Sequence, residues 1–340
     1  MKISQKVTVR PKYMKTLVIT KRHVARVLTP QVANRAVEKA FKAYGLGQVQ
    51  MPAKSYLQFE RGDLRAMPAY MNGQGFHVAG IKSVNVHPEN RAYNLPTVMA
   101  VVVLADPETG FPLAILDGTY LTAMRTGAAG ALATKLLSKK EANSAGFVGC
   151  GSQARTLLAC TMSERKLKTI KVWKRNQKSQ SANEFCRWAK KAYSLQTFTA
   201  ENIDEVTTNV DILFTTTPAH KALVNKVSPG VHINAIGADA KGKQEIHPKI
   251  LKRAKLVIDD WVQASHSGEI NVSLKRRQIT RKDIYATLGE IAAGKKKGRI
   301  SEKEITIFDS TGLAIQDLAC ASVVYEKLKD KRGIMGVSLF

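Results

Sequence analysis

The chain has 340 residues, long enough for two domains, and 44% of them are hydrophobic, as a packed globular protein requires. Its 53 Lys and Arg against 27 Asp and Glu give a formal charge of +26. No apolar run is long enough to span a membrane, and Cys150, Cys160, Cys186 and Cys320 are too scattered for a zinc site or a disulfide framework.

In chain order, residues 1–15 are basic and lack the apolar core of a signal peptide, with Met14 open as an alternative start, and the scattered cysteines lead to the expectation of a reducing, cytoplasmic setting. Residues 21–45 read as a helix, with Val32, Ala33, Ala36, Val37, Ala40 and Phe41 at helical spacing and Thr29-Pro30 setting its start. Residues 55–59, 77–86 and 98–104 read as strands separated by turn clusters at 61–63 and 87–90, which predicts an α+β region with an antiparallel or mixed sheet. Residues 112–116 read as a returning hairpin strand. The alanine-rich run 121–139 reads as a helix whose small residues pack closely on another element. Strands at 145–148, 170–173, 212–215, 231–236, 256–259 and 305–308 then alternate with helical stretches, the pattern of an α/β fold with a doubly wound parallel sheet. An amphipathic helix at 314–327 is expected to return to the first region.

The run GFVGCGSQA carries the sharpest local signal. A short apolar strand leads into Gly149-Cys150-Gly151-Ser152-Gln153-Ala154, a G-x-G-x-x-A turn before a helix. Gly149 permits the tight turn, Gly151 lets a pyrophosphate approach the backbone, and Ala154 lets helix and strand pack closely. The helix N-terminus offers Ser152 and Gln153 N–H groups and a positive dipole end to the phosphates. At the end of the next strand an NAD enzyme usually presents an acid to the ribose 2′-hydroxyl. This chain presents Lys174 and Arg175 instead, which suit a 2′-phosphate, so NADP is favoured and NAD stays open.

Thr215-Thr216-Thr217 follows a buried strand, where its hydroxyls would either meet cofactor or shape a turn before Pro218. Asp239 follows another strand in Gly237-Ala238-Asp239, as a helix cap or as a catalytic group. Arg65, Lys82 and Arg125 sit among apolar or small residues, and a buried cation needs a partner: an anionic ligand or a protein carboxylate. His77, His87, His220, His232, His247 and His266 show no metal-ligand spacing and read as surface or turn residues; no metal is expected. The basic residues are spread along the chain, at 139–140, 190–191, 275–277 and 295–297, without interleaved aromatics. They read as solvated surface, with weak, salt-sensitive polyanion contact as the remaining nucleic-acid role.

Taken together, DLRAMPAY, AGIKSVNVHPEN, LPTVMAVV, DPETGFPLAILDGTYLTAMRTGAAG, GFVGCGSQA, HINAIGAD, GEINV and ITIFDSTGLAIQDLA resemble the ornithine cyclodeaminase/mu-crystallin family, within it the archaeal-type alanine dehydrogenases. The resemblance implies a Rossmann domain at 121–312 and a split α+β substrate and dimerisation domain from 1–120 and 313–340, assembled as a homodimer. It implies that Arg65 and Lys82 bind a substrate carboxylate, with Lys82 also aiding proton transfer, and that Asp239 is the catalytic carboxylate. It further implies that Arg125 contacts substrate and cofactor, that Thr97 lies near the nicotinamide, and that Ala238 and Asp309-Ser310-Thr311-Gly312 line the cofactor side. The implied reaction is NAD(P)-dependent oxidative deamination of a small L-amino acid, alanine to pyruvate and ammonia. Ornithine cyclodeamination, ketimine reduction and non-enzymatic binding of a small ligand, as in mu-crystallin, are the alternatives. A cyclodeaminase needs an acid for the distal amine of ornithine between the positions of Arg65 and Lys82, and this segment holds neither Asp nor Glu.

Overall fold

The computed structural model describes residues 15–176 and 179–340. Its strands are β1 (Thr16–Ile19), β2 (Val49–Gln50), β3 (Ser55–Phe59), β4 (Gly62–Gly73), β5 (Phe76–Val86), β6 (Val98–Ala105), β7 (Pro112–Asp117), β8 (Ser144–Val148), β9 (Thr169–Trp173), β10 (Gln196–Thr199), β11 (Ile212–Thr215), β12 (His232–Ala235), β13 (Lys255–Ile258), β14 (Ile284–Thr287), β15 (Thr306–Asp309) and β16 (Met335–Val337). Among the described residues they form two eight-stranded sheets.

The first sheet runs β16-β1-β7-β6-β5-β4-β2, with β3 also on β4. It is mixed: β1 lies parallel to β7, whereas β4, β5, β6 and β7 form an antiparallel meander. The second sheet runs β10-β9-β8-β11-β12-β15-β13-β14, every neighbour parallel. It is the expected doubly wound Rossmann sheet, and the strand order reverses between β8 and β11, where a ligand crevice opens beyond the strand ends.

Helices α1 (Lys21–Val27) and α2 (Pro30–Gly45) replace the single helix expected over residues 21–45. Pro30 cannot continue a helix from Leu28 but suits a first turn, and the Thr29 side chain caps α2 by accepting from Val32 N. The helix α3 (Gly118–Leu137) is capped by the Asp117 carboxylate, which accepts from Thr119 N and Tyr120 N. It is buried on nearly every side because it packs against both sheets and their helices, and its composition is correspondingly apolar all round. Close approach explains its small residues: a side chain at Gly127 would sit 2.4 Å from the carbonyl oxygen of Thr156 in α4 (Ser152–Thr161).

Further along lie α5 (Ser181–Tyr193), α6 (Asp204–Thr207), α7 (Pro248–Arg253), α8 (Trp261–Ser267), α9 (Asn271–Lys275) and α10 (Leu288–Ala292). The last helix, α11 (Ala314–Leu328), returns from the Rossmann sheet to pack on β4, β5 and β6. One core lies between the first sheet and α2, α3 and α11; two smaller cores flank the parallel sheet. The basic loop at 295–297 is exposed, as its composition suggested.

Two expectations need correction. The twelve-residue β4, the longest strand described, begins within the turn cluster expected at 61–63 and runs on through residues 64–73, where no strand was expected. Its alternate residues Arg65, Met67, Ala69 and Met71 are buried, a period-two pattern masked by an arginine facing inward. His232 is not a surface or turn residue: it is fully buried in β12, Nδ1 3.0 Å from Thr306 Oγ1, and burial pushes its pKa down to about 3.

Candidate active site

The cofactor end is built by the loop after β8. Gly149 has φ of +101°, a conformation only glycine adopts easily, and its N–H donates to Trp173 O, extending the parallel β8–β9 ladder up to the turn. Gly151 caps α4 with no side-chain hydrogen bond to the first turn, and no atom lies within 4 Å of where its side chain would be. Open space in front of unpaired N–H groups at a ten-residue helix is what a pyrophosphate requires, so these residues fit a dinucleotide.

A cavity of about 380 Å³ extends from this loop to the first sheet. Of the sequence-derived candidates, Arg65, Lys82, Thr97, Arg125, Gly151, Ser152, Gln153, Thr216, Thr217, Asp239, Ser310 and Gly312 line it. Gly149, Ala154, Thr215 and Ala238 do not: Gly149 shapes the turn, while Ala154, Thr215 and Ala238 are buried behind the wall. Asp309, implied as cofactor-facing, is also behind it, accepting from the N–H groups of Glu269 and Ile270. Lys174 and Arg175 lie outside the cavity wall; the buried Lys174 donates to Ser181 Oγ at 3.0 Å, and Arg175 is exposed.

The substrate end is a cage of cations. β4 presents Arg65 and β5 presents Lys82 toward α11, because Arg65 pairs in register with Val84 and so shares a sheet face with residues two apart on β5. Arg65 is gripped by Asp63 (Nε–Oδ1 2.7 Å) and Asp239 (Nη1–Oδ2 3.0 Å). Lys82 is completely buried, 2.7 Å from Asp317 Oδ2, while Arg125 lies 2.9 Å from Asp317 Oδ1 and donates to Gln316 Oε1. One carboxylate thus serves two buried cations. Desolvation, reinforced by the Arg125 charge and opposed by Asp317, lowers Lys82 to about 7.

Sequence reasoning missed three further charged groups. Lys54 lines the cavity and donates to the carbonyl oxygen of Thr311 at 2.6 Å; burial, with Arg125 and Arg65 nearby, lowers it to about 8 against the pull of Asp259. Lys243 donates to Asp239 Oδ1 at 2.6 Å. Asp317 sits in a helix whose i, i+3, i+4 pattern gave no sign of its ligands, more than 190 positions upstream. Burial alone would raise the half-buried Asp239, but the charges and hydrogen bonds of Lys243 and Arg65 outweigh it and hold it at about 2. Five cations (Lys54, Arg65, Lys82, Arg125, Lys243) therefore surround a cavity in which Asp239 is the one lining carboxylate among the described residues. Such a site attracts a small anion.

Residues 14–332 match the ornithine cyclodeaminase/mu-crystallin family. The chain belongs to that family. It is 48% identical to the alanine dehydrogenase of Archaeoglobus fulgidus over 321 residues, covering 94% of this chain and 97% of that protein. Among solved family structures, an archaeal alanine dehydrogenase dimer with bound NAD superposes with a TM-score of 0.91 at 46% identity, covering 96% of this chain and all of that one. The Δ1-pyrroline-2-carboxylate reductase of Thermococcus litoralis, in complex with NADH and L-proline, gives 0.89 at 33% identity over 95% and 99% of the two chains. These neighbours support a nicotinamide cofactor in the crevice of this family member. Among the described residues no helix is long and apolar enough to cross a membrane.

Proposed function

We propose that the protein oxidatively deaminates L-alanine, or an amino acid of similar size, to the 2-oxo acid and ammonia with a nicotinamide cofactor. The observation that carries this reading is the cation cage closed by a single lining carboxylate beside the nucleotide loop. Arg65, Lys82 and Lys54 take the substrate carboxylate, fixing the Cα–H toward the crevice and making the reaction effectively intramolecular. When bound, the nicotinamide supplies the hydride acceptor. Before the Cα–H is lost, Asp239 takes a proton from the amine and releases it to solvent; it then accepts a proton from the water that attacks the imine carbon and returns that proton to the departing ammonia. In the empty site Asp239 is too weak a base, because Arg65 and Lys243 stabilise its anion. A substrate carboxylate drawn onto Arg65 competes for that charge and raises the basicity of Asp239 when it is needed.

A distal ammonium, as in ornithine, would meet Lys54, Lys82, Arg125 and Lys243, with only the already paired Asp239 to hold it, which supports a small apolar side chain. The test is a panel of amino acids with NAD+ and NADP+. Alanine is expected to give net cofactor reduction, whereas proline formed from ornithine without net reduction would identify a cyclodeaminase instead.

NADP is proposed as a cofactor alongside NAD, on the exposed Arg175 next to the end of β9. Arg175→Ala should lower kcat/KM for NADP+ about tenfold, one lost charge-assisted contact, and leave NAD+ nearly untouched. An unchanged ratio would refute this role.

The homodimer is proposed through the outer face of the first sheet. Leu57, Ile81 and Val101 lie exposed there, opposite the face that buries Lys82, and an apolar patch of this kind marks an interface. Light scattering is expected to give twice the chain mass, and Ile81→Asp with Val101→Asp a monomer; a monomeric wild type would contradict it.

A further inference from the structure

The buried Glu245 takes no part in the chemistry above, yet its carboxylate reaches both walls of the crevice. Oε1 accepts from Thr217 N (2.6 Å) and Thr217 Oγ1 (2.7 Å), and Oε2 accepts from Gly237 N (3.0 Å). Gly237 begins, and Glu245 ends, the segment that carries Asp239 and its partner Lys243. The side chain therefore closes that loop at its base and pins it to the segment after β11. The fit is tight: a side chain at Gly237 would come within 2.3 Å of Thr217 O and 2.4 Å of Glu245 Oε2.

Glu245 is itself held by a second carboxylate. Glu269 accepts from the N–H groups of Glu245 (2.9 Å) and Ile246 (2.6 Å), and Asp309 accepts from those of Glu269 (2.9 Å) and Ile270 (3.1 Å). Asp309 immediately precedes the cavity-lining Ser310, Thr311 and Gly312. Buried carboxylates thus tie the loop of Asp239, through the chain ahead of α9, to the opposite wall. All the donors to Glu245 are N–H or O–H groups, so the site calls for an atom pair that only accepts, which a carboxylate provides and an amide does not.

We infer that Glu245 is a positioning residue for the reaction proposed above, setting Asp239 and Lys243 against Arg65 by clamping Gly237 to Thr217. The inference rests on the assigned role of Asp239. In Glu245→Gln the amide NH2 faces a donor, one hydrogen bond becomes a repulsion, and the loop must shift. A misplacement of this scale slows turnover by about 10²-fold. The KM for alanine stays within about threefold, because Arg65 and Lys82 are carried by β4 and β5.

The test is a double-mutant cycle with kinetics and thermal melts on Glu245→Gln, Gly237→Ala and the pair. Both single variants are expected to lose kcat with KM preserved, and the double variant to be no slower than the slower single, since both break one clamp. Independent, multiplying losses, or wild-type kcat in Glu245→Gln with only a lowered melting temperature, would overturn the inference. If Glu245→Gln does not fold, Gly237→Ala carries the same split of kcat from KM. If the wild type turns over no amino acid, the proposed function fails on its own, and the clamp is read from the crystal structure of Glu245→Gln. Loss of the Arg65–Asp239 contact, 3.0 Å here, supports the clamp, and its retention overturns it.

Discussion

Asp239→Asn is expected to lower kcat for alanine oxidation by roughly 10²- to 10⁴-fold, the usual worth of a general base. An amide of the same shape neither takes the amine proton nor activates the water. Binding should respond in the opposite sense. Asp239 now competes with the substrate for Arg65, at 3.0 Å, and Arg65 keeps Asp63 as its other partner. With the charge removed, the guanidinium is released to a carboxylate ligand, and pyruvate should inhibit the variant at least as tightly as the wild type. Steady-state kinetics with pyruvate as product inhibitor reads both effects. A variant that keeps kcat within tenfold would remove Asp239 from the chemistry, and one that loses pyruvate binding would show that the carboxylate organises the cage rather than contesting it.

Asp317→Asn should be the more damaging change for the fold. Lys82 and Asp317 are both fully buried, and Arg125 is nearly so. Removing the one anion that both cations share leaves buried charge without compensation, which costs about 3–5 kcal/mol. Part of that cost is relieved if Lys82 gives up its proton, because desolvation and Arg125 already lower its pKa to about 7. The price is function: a neutral Lys82 holds a carboxylate poorly, so KM for alanine should rise about tenfold or more, the loss of one charge-assisted contact. Chemical denaturation and kinetics on the same preparation separate the two losses. Stability and KM both equal to wild type would show that the Lys82–Asp317–Arg125 cluster is not the electrostatic centre described here.

Much of the architecture could be read from local pattern. The strand, glycine turn and helix at 144–161 carry their own signature, because the turn requires φ positive at Gly149 and open space at Gly151. The alternation after residue 140 gave the parallel sheet, although β10 and β14 passed unseen: each is four residues long, and an edge strand has little apolar pattern to show. Arg65, Lys82 and Arg125 are legible as cations in small or apolar surroundings and Asp239 as an acid at a strand end whose role the family resemblance supplies, and all four line one cavity.

The partners of these residues were hidden for a physical reason. Contacts such as Lys82–Asp317 join segments that only folding brings together, and nothing near Asp317 in the chain distinguishes it from a polar position on a helix. Lys54 lies in a stretch between β2 and β3 without periodicity, where a lysine reads as solvated. Glu245 lies in a loop of mixed composition, and nothing next to it in the chain marks the three donors that its carboxylate satisfies. A buried cation calls for either a protein carboxylate or an anionic ligand, and Arg65, Lys82 and Arg125 each have a protein carboxylate.

In the proposed reaction Arg65, Lys82 and Lys54 pin a small amino acid by its carboxylate so that its Cα–H faces the nicotinamide while Asp239 handles the protons. Incubating the protein with L-alanine deuterated at Cα and an oxidised nicotinamide cofactor tests it most directly. Deuterium is expected in the reduced cofactor with pyruvate and ammonia released in equal amounts, and the rate of both is expected to fall by roughly 10²- to 10⁴-fold in Asp239→Asn. Bound cofactor that is never reduced by alanine or any other small amino acid would contradict it.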